Sequence, residues 1–231
     1  MAYSVGRSSG LFLLWTACCS VLINPVHAQA TCKSALKPEY PAPILAQGYK
    51  AQLVADGFSY PRGIMFDSEG ALLVVDSGKG IVALTLEADE NDCISVSNKK
   101  TIVDDKELNH GIEMSPDGDT LYASSSDEVF SWDYSASNQR TTSDPVTLVT
   151  KMSNSDHTTR TLLLSRQVPG LLVVSRGSDS NVDKESNDIT SGHAQVKAFN
   201  LNNVTSDPYK FDSDGLLLAW VRLEPAECAA S

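Results

Sequence analysis

The sequence predicts an all-β domain of the β-propeller class, and an internal repeat carries this prediction. Three segments share one pattern: an apolar strand, a tight turn, a second apolar strand, a run of small residues and a third strand. They are residues 63–86, 111–132 and 160–199. Phe66, Met114 and Leu164 occupy equivalent places, at spacings of 48 and 50 residues. A period of about 40 to 50 residues with about four strands per unit is typical of propellers.

Physical reasons support stacked sheets. One four-stranded sheet cannot bury both of its faces, so neighbouring sheets stack around an axis and share their cores. The segment Ser115-Pro116-Asp117-Gly118 presets a turn with proline and closes it with glycine. Helical periodicity of any length is missing from the sequence. A β-sandwich is the alternative, but a sandwich does not explain similar units at a nearly constant spacing.

The first residues predict export. A polar stretch that includes Arg7 is followed by an apolar run at residues 11–23 and by the small residues of Val26-His27-Ala28. This order is typical of a secretory signal peptide. A membrane anchor is the alternative, but the apolar run is shorter than the roughly 20 residues that span a bilayer. We expect a signal peptide at residues 1–28, cleaved after Ala28 or else after Ala30, and a secreted, extracellular mature chain with no membrane partner.

The mature chain is acidic and long enough for one domain. About 200 residues remain after the signal, which is enough to bury a core. The full sequence carries a net charge of −11. Binding to nucleic acid needs a basic footprint, so a nucleic-acid partner is excluded.

Secretion implies two kinds of covalent modification. Two of the five cysteines leave with the signal, and an oxidising compartment favours a disulfide among the other three. We pair Cys32 with Cys93, because each lies in a polar segment that flanks the first repeat. Cys228 is then left over, which is unusual in a secreted protein. Asn203 begins an Asn-Val-Thr sequon, so we expect it to be glycosylated on a surface loop.

Several short motifs lie on the predicted strands and the loops before them. They are SYPRGI at residues 59–64, LNHGIE at 108–113, SPDG at 115–118, DHTTRTL at 156–162 and VSRGS at 174–178. With these motifs in this order and the two paired cysteines, the chain from about Cys32 to Trp220 resembles the fungal pyrroloquinoline quinone (PQQ)-dependent pyranose dehydrogenases. Those enzymes are related to the soluble glucose and sorbosone dehydrogenases.

The resemblance implies a fold and a reaction. The family is a six-bladed propeller that holds PQQ and calcium at the top of its central channel. It oxidises the anomeric or a secondary hydroxyl of a sugar by hydride transfer to PQQ, while a histidine takes the hydroxyl proton. The implied partners are a sugar substrate and an extracellular electron acceptor. The propeller domain is expected at residues 29–220.

The resemblance also implies the site residues. His157 is the expected catalytic base, because it precedes the first apolar strand of its repeat and Arg160 follows it, as in the family. His110 is taken as the equivalent residue one repeat earlier, and Arg62 holds nearly the same place in the first repeat. Arg62 and His110 are expected to bind PQQ, since a guanidinium binds carboxylates bidentately. The alternative is that the histidines only hydrogen-bond neighbouring blades.

Two other basic residues remain less informative. Arg176 lies in a Ser-Arg-Gly-Ser segment that is also typical of a solvated turn. His193 lies in a Ser-Gly-His segment, for which we expect a loop.

The end of the sequence departs from the family pattern. In relatives a tryptophan such as Trp220 leads into a segment whose arginine and asparagine help to hold PQQ, and calcium ligands and further blades follow. Residues 221–231 show no strand pattern, and we expect an aberrant, unstructured tail there. The sequence therefore predicts three to four blades, no assigned metal ligand, and an incomplete or inactive form of the enzyme.

Two further function classes stay open. A calcium-dependent lactonase of the gluconolactonase type also repeats such units, and Glu113 and Asn109 could contribute oxygen ligands to a hard cation. A propeller that binds partners without catalysis is the other class. Fold alone does not separate these classes, because function resides in the site.

Overall fold

The computed structural model describes Cys32, residues 36–41 and residues 43–222. The expected signal peptide at residues 1–28 and residues 223–231 of the expected tail lie outside the described residues. In the described part, no helix is long and apolar enough to cross a membrane.

Fourteen β-strands of the described residues form three sheets. The first sheet follows chain order: β1 (Pro61–Phe66), β2 (Leu72–Asp76), β3 (Gly80–Ala88) and β4 (Ile94–Val103). The second sheet comprises β5 (Ile112–Met114), β6 (Thr120–Ser124), β7 (Val129–Ser135), β8 (Arg140–Thr141) and β9 (Val146–Thr150). The third comprises β10 (Arg160–Leu164), β11 (Leu171–Arg176), β12 (Gln195–Asn200) and β14 (Leu216–Trp220). Short 3-10 helices lie at Lys184–Asn187, Ile189–Ser191 and Leu201–Asn203.

One strand crosses between sheets. β13 (Tyr209–Lys210) follows β12 in the chain, but it pairs in parallel with β9 at the edge of the second sheet. Phe211, which follows it, is fully buried, and its backbone N–H donates to the Thr150 carbonyl at 2.8 Å. The third repeat therefore contributes main-chain hydrogen bonds to the second sheet.

The predicted repeat is confirmed strand by strand. Phe66, Met114 and Leu164 each end the first strand of one sheet. The turns that follow the first two strands are equivalent, since Gly70 and Gly118 have φ of 84° and 82°. These positive φ values are readily adopted only by glycine, which explains the repeated glycine at this turn. The prediction of an all-β repeat architecture is thus confirmed.

The first strands of the three sheets lie side by side, because β5 contacts both β1 and β10. Two glycines allow this approach. A Cβ on Gly63 would lie 2.1 Å from the His110 carbonyl oxygen. A Cβ on Gly111 would lie 2.4 Å from Ser124 Oγ and 2.8 Å from the Arg160 carbonyl oxygen. Adjacent blades therefore meet backbone to backbone at their first strands.

Apolar side chains fill the seams between sheets. The seam between the first and second sheets holds Leu73, Ile81, Leu121 and Trp132 among its buried residues. The seam between the second and third sheets holds Val149, Leu162, Leu172, Val174 and Phe199 among its buried residues. These two clusters form the shared cores that a stack of sheets requires.

A polar contact joins the first seam. The buried Tyr134 hydroxyl donates to Asp67 Oδ2 at 2.9 Å. Burial, with a smaller effect of Asp67, raises the pKa of Tyr134. Asp67 also accepts the Ala71 N–H at 2.8 Å, so one carboxylate fixes the turn of the first sheet and ties it to β7.

The predicted disulfide is present. Cys32 and Cys93 are bonded, across a sequence separation of 61 residues. The bond attaches the N-terminal segment beside β4, where Gln52 Oε1 also accepts the Ile94 N–H at 3.0 Å. Ala55 and Phe58 then pack on the outer apolar cluster of the first sheet. The predicted role of the disulfide, which is to tie the N-terminal segment to the first blade, agrees with this arrangement.

The close approach at Gly63 generates a test. Gly63→Ala should lower the free energy of unfolding by about 1–3 kcal/mol, because the added methyl group overlaps the His110 carbonyl and must push two blades apart. Urea denaturation measures the change. Gly177→Ala is the matched control, since no heavy atom lies within 4 Å of its added Cβ. Equal urea midpoints for the two variants would contradict the packing argument.

Candidate functional site

A pocket of about 410 Å³ lies where the first strands of the three sheets begin. Its lining includes Tyr60 and Arg62 from the first sheet, Asn109 from the second, and His157 and Thr159 from the third. These residues lie in or next to the loops that lead into β1, β5 and β10. Because the three strands start at the same end, their loops converge there.

Arg62 is the exposed cation of this pocket. The loop before it is fixed by the buried Asp76 carboxylate, which accepts the N–H groups of Ser59 at 3.0 Å and Tyr60 at 2.7 Å. The Arg62 side chain makes no hydrogen bond or ion pair to any residue that the structure describes. A guanidinium on a fixed loop, without a protein partner, is available to an anionic ligand.

His110 and Asn109 carry buried polar atoms that lack a partner among the described residues. These atoms are His110 Nδ1 and Asn109 Oδ1. Burial, together with the positive charge of Arg62, lowers the pKa of His110, so its imidazole is neutral near pH 7. Asn109 Nδ2 donates to the Thr158 carbonyl at 3.0 Å, which links the second and third loops. Buried polar atoms without partners are rare, and each is a place where a ligand or an ordered water can bind.

His157 lies in the loop before β10 and is held at several points. Its N–H donates to the Asp179 carbonyl at 2.8 Å. Its carbonyl accepts from Asn154 Nδ2 and from Arg160 Nη1, each at 3.0 Å. Its ring Nδ1 lies 3.3 Å from Ser178 Oγ. The backbone and one ring nitrogen are therefore fixed, while Nε2 has no hydrogen bond to another described residue.

Arg160 supports this loop from within the core. Its side chain is fully buried, and its guanidinium donates to the carbonyls of His157, Thr159 and Met152. Burial, with a smaller effect of Arg176, lowers the pKa of Arg160 to about 10, so it stays cationic at pH 7. The catalytic role expected for Arg160 does not fit this geometry, because a fully buried guanidinium cannot contact a substrate. Arg160 instead shapes the loop that presents His157.

The register of the first strands shows which residues of the three repeats occupy equivalent positions. Arg62, His110 and Arg160 each lie four residues before Phe66, Met114 and Leu164. The packing agrees, since Gly63 of the first sheet lies against the His110 carbonyl and Gly111 of the second lies against the Arg160 carbonyl. Arg160 therefore occupies the place of His110, and the expectation that His157 is the equivalent residue was wrong. His157 lies further from the strand, in the loop.

Two basic residues outside the pocket, Arg176 and His193, have structural roles. Arg176 is only 6% exposed, and it donates to Asn154 Oδ1 at 3.0 Å and to the Ser153 carbonyl at 2.8 Å, so it is not in a solvated turn. It ends β11, where burial alternates and places it on the same face as Leu172 and Val174. In the sequence, Leu172, Val174 and Arg176 follow each other at intervals of two residues. This spacing was the signal that the Arg176 side chain lies on the buried face of the strand.

His193 lies in a loop, as expected, but its side chain is buried. Its Nδ1 lies 2.7 Å from Asp183 Oδ2. Asp183 Oδ2 also accepts the Asp179 N–H at 2.7 Å. The pair thereby holds the loop that supplies the Asp179 carbonyl to His157.

The described residues of the pocket could bind an anionic group. Arg62 offers a free cation, and His110 Nδ1 offers a buried polar atom in need of a partner. No group of three or more His, Cys, Asp or Glu side chains in the described part of the chain could hold a metal ion.

Comparison with known proteins places the chain in a family. A sequence profile of the TrAA12-like family matches residues 43–224. The chain belongs to this family. A PQQ-dependent sugar dehydrogenase of Hypocrea jecorina is 42% identical over 204 residues, which are 86% of this chain and 47% of that protein. A PQQ-dependent pyranose dehydrogenase of Coprinopsis cinerea is 38% identical over 183 residues, which are 79% of this chain and 24% of that protein.

Solved structures agree with the sequence relatives. A calcium structure of the Trichoderma reesei member of family AA12 matches with a TM-score of 0.76 and 41% identity, covering 81% of this chain and 47% of that one. The holo form of the pyranose dehydrogenase PQQ domain from Coprinopsis cinerea matches with a TM-score of 0.75 and 37% identity, covering 82% and 45%. The predicted family and propeller class are confirmed. The chain spans about half the length of the solved relatives and of the curated sugar dehydrogenase.

The environment of His110 makes stability depend on pH. As pH falls below the ordinary histidine value of 6.5, the unfolded chain takes up a proton that the folded imidazole resists. The free energy of unfolding should therefore fall with pH in this window. His110→Gln should remove that part of the slope, which urea denaturation at about pH 7.5 and about pH 5.5 would measure. Parallel pH profiles for both proteins would contradict the assignment.

Proposed function

We propose that this chain contributes part of the PQQ site and the catalytic base of a PQQ-dependent sugar dehydrogenase. The observation that carries the proposal is the convergence of Arg62, His110 and His157 at one end of three adjacent first strands. Arg62 is an unpaired cation, and His110 has a buried ring nitrogen without a partner. His157 has a fixed imidazole. Such a site needs groups of these kinds. The names of the family relatives supply the chemistry.

Arg62 and His110 are the proposed cofactor contacts. PQQ carries carboxylates, and the Arg62 guanidinium can bind one of them through two parallel hydrogen bonds. His110 is the second proposed contact, and because its Nδ1 is buried, its imidazole would have to turn toward the pocket to meet PQQ. Bound PQQ supplies the hydride acceptor, and the protein supplies orientation and a base. No calcium ligand is assigned to the described residues, although one structure of a relative is a calcium structure.

His157 is the proposed general base. Its Nδ1 is occupied by Ser178, so its Nε2 is the nitrogen that would accept the proton from the anomeric or a secondary hydroxyl of the sugar. Arg160 serves this step indirectly, because its guanidinium holds the His157 carbonyl. The loop is thereby fixed without a cation in contact with the substrate.

The lactonase alternative is less consistent with the geometry. Its candidate ligands Glu113 and Asn109 line different pockets. Glu113 already accepts the N–H groups of Met114 at 2.9 Å and Leu164 at 3.1 Å. Glu113 therefore joins the second and third sheets and lies in a different pocket from Asn109, so these two side chains do not share a cation site.

A chimera tests the proposal in a chain of the relatives' length. Residues 43–222 would replace the corresponding half of the Hypocrea jecorina protein, and sugar oxidation would be measured with PQQ, calcium and a dye acceptor. We expect His157→Ala to lower kcat by about 10²–10⁴-fold with little change in PQQ affinity, because only the base is removed. Arg62→Ala should instead weaken PQQ binding by about tenfold or more, because a charge-assisted contact is lost.

Arg166→Ala is the control for the charge change, since Arg166 lines the pocket at the opposite end of the strands. If His157→Ala retained full turnover, the proposed base would be wrong. If Arg62→Ala and Arg166→Ala bound PQQ equally well, the proposed cofactor contact would be wrong.

We further propose that the protein is secreted and passes electrons to an extracellular acceptor. Asn203 is exposed at the end of a short 3-10 helix, where its sequon is open to a glycosyltransferase. Protein secreted from a fungal host should lose glycan mass on treatment with an endoglycosidase. Asn203→Gln should abolish that mass loss and the control Asn202→Gln should not. Unchanged mass in the secreted wild-type protein would contradict the assignment.

A further inference from the structure

We propose that Asn154 is a positioning residue for His157, and that its side-chain amide holds the loop before β10 against the segment that follows β11. The inference rests on the proposed function of His157 as the base. Asn154 lies three residues before His157, and it is not among the residues that line the pocket. It therefore acts on the base and not on a ligand.

The partners of the Asn154 amide allow only one orientation. Its Nδ2 donates to the carbonyls of His157 at 3.0 Å and Ser178 at 3.1 Å, and the Gly177 carbonyl lies at a longer 3.4 Å. Its Oδ1 accepts from Arg176 Nε at 3.0 Å. Carbonyl oxygens only accept and a guanidinium only donates, so a reversed amide would lose all of these contacts. The direction of each bond is therefore fixed.

Arg176 holds the amide oxygen from within the core. Besides Nε, its Nη2 donates to the Ser153 carbonyl at 2.8 Å and its Nη1 donates to the Ser191 carbonyl at 3.2 Å. The guanidinium is planar, buried and engaged through all three of its nitrogens. Arg176 therefore cannot turn without breaking several bonds, and Asn154 is held with it.

The amide nitrogen joins two segments that are distant in the sequence. His157 precedes β10 and Ser178 follows β11, and the carbonyls of both accept from Asn154 Nδ2. The imidazole meets the same segment, since Ser178 Oγ lies 3.3 Å from His157 Nδ1. Loss of the two donated bonds should therefore loosen the base from the segment beside it, while the paired strands stay in place.

Two substitutions separate this role from a purely structural one. Asn154→Asp keeps an oxygen for Arg176 but places a second oxygen against the carbonyls of His157 and Ser178. Asn154→Ala removes both halves of the contact. If the donated bonds position His157, the two variants should behave alike. If Asn154 serves only to satisfy Arg176, Asn154→Asp should behave like the wild type.

Hydrogen exchange of the 231-residue chain, followed by nuclear magnetic resonance, tests the inference without cofactor or substrate. The reporter is the His157 N–H, which donates to the Asp179 carbonyl and exchanges when the loop leaves that segment. We expect both Asn154 variants to raise its exchange rate by about tenfold or more, because at least two hydrogen bonds are lost. The amides that pair β10 with β11 should keep their wild-type rates.

Asn138 supplies the matched control. Its Nδ2 donates to Ser135 Oγ at 2.9 Å in the exposed turn between β7 and β8, so Asn138→Asp makes the same chemical change away from the pocket. This variant should leave the His157 exchange rate unchanged. A comparison within the wild type needs no variant to fold. The Nδ2 protons of Asn154 should exchange about tenfold more slowly than those of exposed Asn138.

The proposal is overturned if Asn154→Asp leaves the His157 exchange rate at its wild-type value, or if the strand amides accelerate as much as the His157 N–H. Equal exchange of the Asn154 and Asn138 side-chain amides in the wild type would also overturn it.

The chimera adds a kinetic measurement. Asn154→Ala should lower kcat by about tenfold or more with unchanged PQQ affinity, because only the placement of the base is altered. Asn138→Asp should leave both quantities unchanged. Equal kcat for the unmutated and Asn154→Ala chimeras would contradict the positioning role. Absence of sugar oxidation in the unmutated chimera would count against the proposed function alone, and the exchange rates would still decide the role of Asn154.

Discussion

The backbone contact between first strands is the constraint on which the rest of the structure depends. Gly63 lies against the carbonyl of His110, and Gly111 lies against the carbonyl of Arg160. Any side chain at these glycines would separate the sheets, so the spacing of the blades is set at the strand nearest the pocket. The loops that precede these strands are consequently brought to one place. Because a glycine allows the same close approach at both sheet boundaries, loops from three distant parts of the sequence form one site.

Two buried arginines fix the conformation of the loop that carries His157 and of the segments beside it. Arg160 and Arg176 direct their guanidinium groups to backbone carbonyls rather than to carboxylates at hydrogen-bond distance. A guanidinium has five N–H donors in a fixed plane, so one side chain can satisfy several carbonyls of an irregular segment. Irregular backbone buried near a core otherwise leaves carbonyls unsatisfied. The loop that carries His157 is thus irregular in path and yet fully anchored.

The sequence was sufficient for the architecture because strand and turn signals are local. Phe66, Met114 and Leu164 ended strands as their spacing indicated, and Cys32 met Cys93. The site was harder to predict because it depends on register. His157 lies seven residues before Leu164, whereas His110 lies four residues before Met114, so counting from these equivalent strand ends assigns the place of His110 to Arg160.

The residue pairing between β10 and β11 was also difficult to predict from the sequence. In the register of β10 and β11, Arg160 lies opposite Arg176, so residues just beyond Arg176 come beside the loop of His157. This is how Ser178 reaches the imidazole from 21 residues away. A strand pattern predicts both strands but does not fix which residues face each other, since a slip of one residue changes every pair.

The crossing strand β13 has a consequence for how the molecule opens. It forms main-chain bonds to β9 although its neighbours in the chain belong to the third sheet. Within the described residues, no strand of the first sheet pairs in this way with a strand of the second. The second and third sheets thus share strand pairing, whereas the first sheet is attached to the second by side-chain packing and by hydrogen bonds such as that from Tyr134 to Asp67. Local opening should therefore begin between the first and second sheets, beside Gly63. Arg62 lies at this boundary, so its part of the pocket should be the first to open.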